Sequence, residues 1–147
     1  MGTLAAALAL SATALPGQGR PEFRIDGIFA ENTAIQLGAG VLFPLGTYVR
    51  SGVIAGAGLS NSRASFRADF VTLFHVDPFR ESRWAPYGGG GFSLRHDNAT
   101  DESRGFLLLV VGVEGPIGKG YSPAFEVGLG GGVRAGVILR QSRERKR

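Results

Sequence analysis

The stretch "ASFRADFVTLFHV", residues 64–76, alternates between apolar and polar side chains at every second position. Phe66, Phe70 and Phe74 fall on one side of this alternation, and Arg67 and Asp69 fall on the other. Successive side chains of a β-strand point to opposite faces, so this period predicts a strand with one apolar and one charged face.

The same period recurs along the rest of the chain, in runs separated by short connections rich in turn residues. The runs have roughly ten residues each, and a tilted, membrane-crossing strand needs roughly 9–11. Short connections between successive strands imply an antiparallel meander, which closes most readily into a barrel. We therefore predict an all-β, antiparallel, up-and-down transmembrane β-barrel of about eight strands. The predicted strands cover 22–30, 33–43, 47–59, 64–76, 85–96, 104–115, 121–130 and 132–140.

The chain of 147 residues is long enough for one domain and has no internal linker. Residues 1–19 carry no charge and are apolar and rich in alanine from Leu4 to Leu15, which predicts a signal peptide rather than a membrane-spanning helix. The barrel domain is expected over 20–140, followed by a basic tail over 141–147. Cysteine is absent, which excludes disulfides and thiolate metal sites.

Alternation alone leaves open which face of the strands lies inside. A soluble barrel would turn its apolar face inward to bind a small apolar ligand, whereas an outer-membrane barrel would turn it toward lipid. Small glycines crowd the polar face, and its charges have both signs, which suits a narrow lumen with paired charges. Arg140 lies on this face of the last strand. The predicted lumen charge network comprises Arg24, Asp26, Arg50, Arg67, Asp69, Arg95, Glu114, Glu126 and Arg134.

Aromatic residues gather beside the second, fourth and sixth connections, which lie at one end of an up-and-down barrel. Tyrosine and tryptophan prefer the lipid–water boundary, so these residues predict an interfacial belt. This end would be periplasmic, because both chain ends and the even-numbered turns lie there in such barrels, and the polar loop 96–103 would face outside. The predicted belt comprises Phe43, Tyr48, Phe79, Trp84, Tyr87, Tyr121 and Phe125.

Three segments carry a resemblance to a known family. They are "VLFPLGTYVR" (41–50), "WAPYGGGGFSLR" (84–95) and "VGVEGPIGKGYSPAFEVGLGGGVRAGVILR" (111–140). With their Pro-Leu-Gly and Pro-Ile-Gly turns and glycine-rich strands, they resemble the small outer-membrane β-barrel proteins of Gram-negative-type bacteria. The resemblance covers about 20–140. It implies export to the cell outer membrane, a structural or surface-interaction role, and outer-membrane lipid and the barrel assembly machinery as partners. We expect a monomer without a cofactor.

Residues that could carry catalysis or recognition are few. "GPIGKGYS" (115–122) lacks the glycine spacing of a phosphate loop, and two histidines without cysteine make a metal site unexpected. Aromatic and arginine side chains lie on opposite strand faces, which excludes a nucleic-acid groove. His96, Asp97 and Ser103 suggest a lipid-A-modifying enzyme as an alternative, but adjacent His96 and Asp97 would point to opposite sides of a strand. We expect no catalytic role, and no wide pore in so narrow a barrel.

Overall fold

A computed structural model describes residues 19–77, 83–98 and 101–141. Within these ranges the chain forms eight β-strands, as predicted, with bounds that differ from the predicted ones by at most two residues. Apart from Gly19 and Gln141, the predicted signal peptide and basic tail lie outside the described residues. The strands are β1 Arg20–Phe29, β2 Ala34–Pro44, β3 Val49–Ser60, β4 Arg63–His75, β5 Ala85–Asp97, β6 Glu102–Glu114, β7 Tyr121–Leu129 and β8 Val133–Gln141.

Each strand pairs antiparallel with the next, and β1 pairs with β8 to close the barrel. The predicted all-β, antiparallel, closed fold is confirmed. We call the end where β1 begins and β8 ends the proximal end; it also carries the β2–β3, β4–β5 and β6–β7 connections. The opposite end is the distal end. Among the described residues there is no helix long and apolar enough to cross a membrane.

The tightest distal connection joins β3 to β4 through Asn61 and Ser62. Both residues have positive φ, 48° and 63°. Two successive residues with positive φ form the type I′ turn that matches the right-handed twist of two paired strands. Asparagine tolerates this backbone conformation well, so local sequence fixes this hairpin and its register.

The outside of the barrel is apolar along every strand. Its exposed side chains include Phe23, Ile35, Val53, Phe70, Phe92, Leu109, Val127 and Val137, one from each strand in order. The alternate positions point inward, and many of them are buried, including charged residues and an apolar cluster. The apolar face therefore lies outside, which is the reverse of a soluble ligand-carrying barrel.

Candidate functional site

The lumen holds a network of buried charges that begins on β1. Glu22, Arg24 and Asp26 occupy every second position of this strand, so all three side chains point inward, and all are buried. A buried charge is tolerated when it is paired and hydrogen-bonded, because pairing offsets the loss of hydration. The geometry around Arg24 meets this requirement.

The guanidinium of Arg24 contacts three carboxylates. Its Nε donates to Oδ2 of Asp26 at 2.7 Å, and its Nη2 donates to Oε1 of Glu126 at 2.8 Å. Its Nη1 lies 3.3 Å from Oε1 of Glu22. Arg24 thus joins its own strand to β7 across the inside of the barrel.

A second group of contacts crosses the lumen to β4. Arg67 Nη2 lies 2.6 Å from Oδ2 of Asp26, and Arg67 Nε lies 3.0 Å from Oδ2 of Asp69. Asp69 also lies 3.0 Å from Nη2 of Arg134 on β8 and accepts the hydroxyl of Ser93 on β5 at 2.6 Å. Charges of alternating sign therefore span the interior between opposite walls.

Toward β6 and β3, the network continues through Arg140. Its Nε donates to Oε2 of Glu22 at 2.8 Å, and its Nη1 donates to Oε2 of Glu114 at 2.9 Å. Glu114 also lies 3.5 Å from Nη1 of Arg50. Glu22 and Arg140 stand directly opposite each other in the β1–β8 register, so this ion pair lies across the seam that closes the barrel.

Eight of the nine residues predicted for the lumen network take part in these contacts, and Arg95 does not. Arg95 lies in the distal part of the lumen, with its guanidinium 5.3 Å from the Phe106 ring centroid and 3.5 Å from the carbonyl oxygen of Gly131. The prediction missed Glu22, although extending the alternation of Arg24 and Asp26 by one step would have included it.

Tyr87 corrects the predicted aromatic belt, because it lies inside the barrel and is 3% exposed. Its hydroxyl donates to Oε2 of Glu126 at 2.9 Å, and the guanidinium of Arg140 lies 5.0 Å from its ring centroid. His75 stacks on the same ring at 5.2 Å. The alternation of β5 predicts an inward position for Tyr87, because Tyr87 lies on the same face as Ser93, whereas Phe92 lies on the outer face.

The other described belt residues lie on the outside at or near the proximal end. Tyr48, Trp84, Tyr121 and Phe125 are exposed, and Phe43 is half-buried. Trp84 and Phe125 contact each other, with ring centroids 5.9 Å apart. Phe79 lies outside the described residues.

Apolar side chains also occupy inward positions in the lumen. They form a buried cluster that spans several walls of the barrel. The strand alternation puts several of them, such as Val71, Leu73 and Ile138, on the same face as the charges. The cluster comprises Leu42, Ile54, Val71, Leu73, Tyr87, Leu108, Val110, Ala124 and Ile138.

The β5–β6 hairpin places His96 beside Ser103. His96 lies 2.9 Å, through Nδ1, from Oγ of Ser103. Asp97 occupies the opposite side of the alternation on β5, as the sequence indicated, and does not complete this pair. Within the three described ranges, no group of histidine and carboxylate side chains is arranged to hold a metal ion.

The Tyr87 hydroxyl provides a test of the lumen network. We expect Tyr87→Phe to lower the free energy of unfolding by about 1.5–3 kcal/mol, because a hydrogen bond to a buried carboxylate is lost. Urea titration of the protein in lipid vesicles measures this change. Tyr48→Phe, on the outside, is the control and should change stability by less than about 0.5 kcal/mol. Equal effects of the two substitutions would contradict the assigned role of the Tyr87 hydroxyl.

Comparisons with known proteins agree with this architecture. No protein-family model and no curated protein matches the sequence. Solved structures do match. The N-terminal β-barrel domain of Pseudomonas aeruginosa OprF superimposes with a TM-score of 0.62 at 14% identity, over 85% of this chain and 98% of that one. Neisserial surface protein A gives 0.58 at 10% identity, over 85% and 96%. The P. aeruginosa outer membrane protein OprG gives 0.54 at 9% identity, over 85% and 93%. At these identities the likeness shows the fold, that of eight-stranded outer-membrane barrels.

Proposed function

We propose that this protein spans the bacterial outer membrane as a closed, sealed barrel, with a structural or surface-interaction role. One observation carries the proposal: the outside of the barrel is apolar while the inside holds the ion-pair network. In water this arrangement would expose a large apolar surface, which soluble monomers avoid. In a membrane the same surface contacts lipid, and the charges stay within protein.

Strand length and the aromatic residues support the same location. The strands contain 9 to 13 residues, so each has at least the length of roughly 9–11 residues that a tilted strand needs to cross the hydrocarbon core. Tyr48, Trp84 and Tyr121 lie on the outside at the proximal end, where rings of this kind fit a lipid–water boundary. The proximal end would then face the periplasm. OprG, whose fold is similar, is described as an outer membrane protein.

The contents of the lumen support a sealed barrel. Eight-stranded barrels have an interior just wide enough for side chains to fill. Here guanidinium groups from β1, β4 and β8 reach carboxylates on facing walls, and apolar residues occupy other positions. We therefore assign no transport role to the barrel.

Fractionation tests the proposed location. We expect the protein in the outer-membrane fraction, extracted only by detergent, with a folded band on gels that shifts on heating. In planar bilayers the folded protein should give no stable single-channel steps. Recovery in the soluble periplasm, without a heat-dependent shift, would refute a membrane location, and stable channel steps would refute a sealed lumen.

A charge on the outer surface distinguishes lipid from water as its surroundings. Phe70 is 52% exposed and lies near the middle of β4. We expect Phe70→Arg to cost about 2–4 kcal/mol in lipid vesicles, since arginine is unfavourable at the bilayer midplane. The control Leu45→Arg places the same charge in the β2–β3 turn, where the change should stay within about 0.5 kcal/mol. If both variants were as stable as the parent in urea titrations, the outer face would not be a lipid face.

The soluble alternative, a barrel that binds an apolar ligand inside, lacks its structural basis. It requires the apolar face to line a cavity, but exposed apolar side chains such as Ile25, Leu37 and Val111 lie outside. Three inward positions on β1 are occupied by charges, those of Glu22, Arg24 and Asp26.

A further inference from the structure

On the outside of the distal end, the β5–β6 hairpin places a serine, a histidine and an aspartate in a row. Oγ of Ser103 lies 2.9 Å from Nδ1 of His96. On the other side of the imidazole, Nε2 of His96 lies 4.0 Å from Oδ1 of Asp101. In this order the imidazole can take a proton from the serine while the carboxylate stabilises the resulting imidazolium.

Strand register holds the serine and the histidine together. His96 and Ser103 stand directly opposite each other in the β5–β6 pairing. The N–H of Asn98 donates to the carbonyl of Ala64 on β4. In an antiparallel strand the N–H and C=O of every second residue point to the same neighbouring strand, so those of His96 also point toward β4. His96 and Ser103 are therefore a non-hydrogen-bonded pair, the kind in which opposite side chains approach most closely.

The backbone of β6 supplies a donor for an oxyanion. The N–H of Gly115 donates to the carbonyl of Pro123, on the β7 side of β6. Ser103 lies an even number of positions before Gly115, so its N–H points to the same side of β6. In the described part of the chain, the β6–β7 ladder reaches only Leu109, which leaves the edge at Ser103 outside that ladder. A backbone N–H of the nucleophilic serine is a common donor to the oxyanion in acyl transfer.

An apolar groove of about 810 Å³ adjoins this row on the outer surface. Small outward side chains form a line across neighbouring strands, those of Ala39, Ala55 and Ala68. Leu94 and Gly105 continue this line, because Leu94 pairs with Ala68 and Gly105 pairs with Leu94. Phe66 lies opposite His96 in the neighbouring line. The groove thus leads from the serine along an apolar path on the outer surface.

We propose that Ser103, His96 and Asp101 form a hydrolytic site for long-chain carboxylic esters, with the acyl chain in the alanine-lined groove. This goes beyond the proposed function, and rests on it only where the ester is taken to be a membrane lipid. It also differs from the constellation suggested by the sequence, because the carboxylate is Asp101 rather than Asp97.

The reaction requires only water besides the ester. Oγ of Ser103 attacks the carbonyl carbon as its proton passes to Nδ1 of His96, and the carbonyl oxygen becomes the oxyanion. The carbon–oxygen bond to the alcohol breaks, His96 returns the proton to the departing alcohol, and an acyl ester on Ser103 remains. Water then attacks this ester with the same proton transfers, releasing one carboxylic acid and regenerating the serine.

Covalent labelling and hydrolysis test the site in the purified, full-length protein folded in detergent. We expect a fluorophosphonate probe to label the wild type and p-nitrophenyl palmitate to be hydrolysed at least 100-fold faster than without protein. Ser103→Ala should abolish the labelling and reduce hydrolysis at least 100-fold. His96→Gln should slow both, because the serine then lacks its general base.

Ser51→Ala is the matched control, because Ser51 is also paired across strands on the outside, with Thr72 at 2.5 Å, but has no histidine beside it. It should retain labelling and rate. Ala55→Phe should fill the groove and lower the rate for the palmitate ester at least 10-fold while sparing the butyrate ester. Absence of labelling and hydrolysis in the folded wild type, or their persistence in Ser103→Ala, would overturn the proposal. Fractionation tests the membrane location independently of this result.

Discussion

Replacing Arg24 by alanine is expected to lower the free energy of unfolding by about 3–5 kcal/mol, because removing one partner of a buried ion pair leaves the other charge uncompensated. Arg24 contacts Glu22, Asp26 and Glu126, and its side chain is 2% exposed. Asp26 retains Arg67, whereas Glu126 loses the guanidinium with which it forms its ion pair. Urea titration in lipid vesicles, followed through the single tryptophan, Trp84, measures the loss.

The chain offers a matched control for this prediction. Arg104 pairs with Glu102 two positions earlier on its strand, as Arg24 pairs with Glu22, but the side chain of Arg104 is 65% exposed. An exposed ion pair contributes about 0–1 kcal/mol, so Arg104→Ala should have a small effect. Similar losses for the two variants would mean that the lumen network does not stabilise the barrel more than a surface pair does.

Gly91→Ala is expected to prevent normal closure of the barrel or to destabilise it by at least about 3 kcal/mol, the upper end of overpacking costs. A Cβ at this inward position would overlap the carbonyl group of Phe70 and crowd the Cα of Val71 on the paired strand. Both obstacles are backbone atoms, which a rotamer change cannot move. The measurement is the fraction that refolds into vesicles, read from the heat-dependent gel shift.

Gly118→Ala is the control for this glycine. It lies in the β6–β7 connection, and an added Cβ there would meet no heavy atom within 4 Å. Refolding of this variant should match that of the parent. If Gly91→Ala also refolded fully and with unchanged stability, close approach of β4 and β5 would not be a requirement of the fold.

The strands could be predicted because their signal is local. In 64–76 the alternation of phenylalanine with arginine and aspartate is complete within one strand, and the structure places that strand within one residue at each end. Tyr87 was misplaced for a different reason. Its neighbours Trp84 and Pro86 indicated a membrane boundary, whereas its own side of the alternation indicated the lumen. The aromatic residues indicated one end of the barrel, but strand alternation indicates whether a side chain lies in the lumen or on the outer face.

The strand order, the short connections and the two chemically distinct faces could be predicted from local sequence, because each depends on residues only a few positions apart. The partners of the charges are set by the closed barrel. Glu22 and Arg140 lie 118 positions apart, and closure of β1 against β8 sets them opposite each other. The same closure brings Asp26 within reach of Arg67 across the lumen. The alternation along a strand shows which side a charged residue faces. The strand registers and the curvature of the closed barrel determine which opposite charge it contacts.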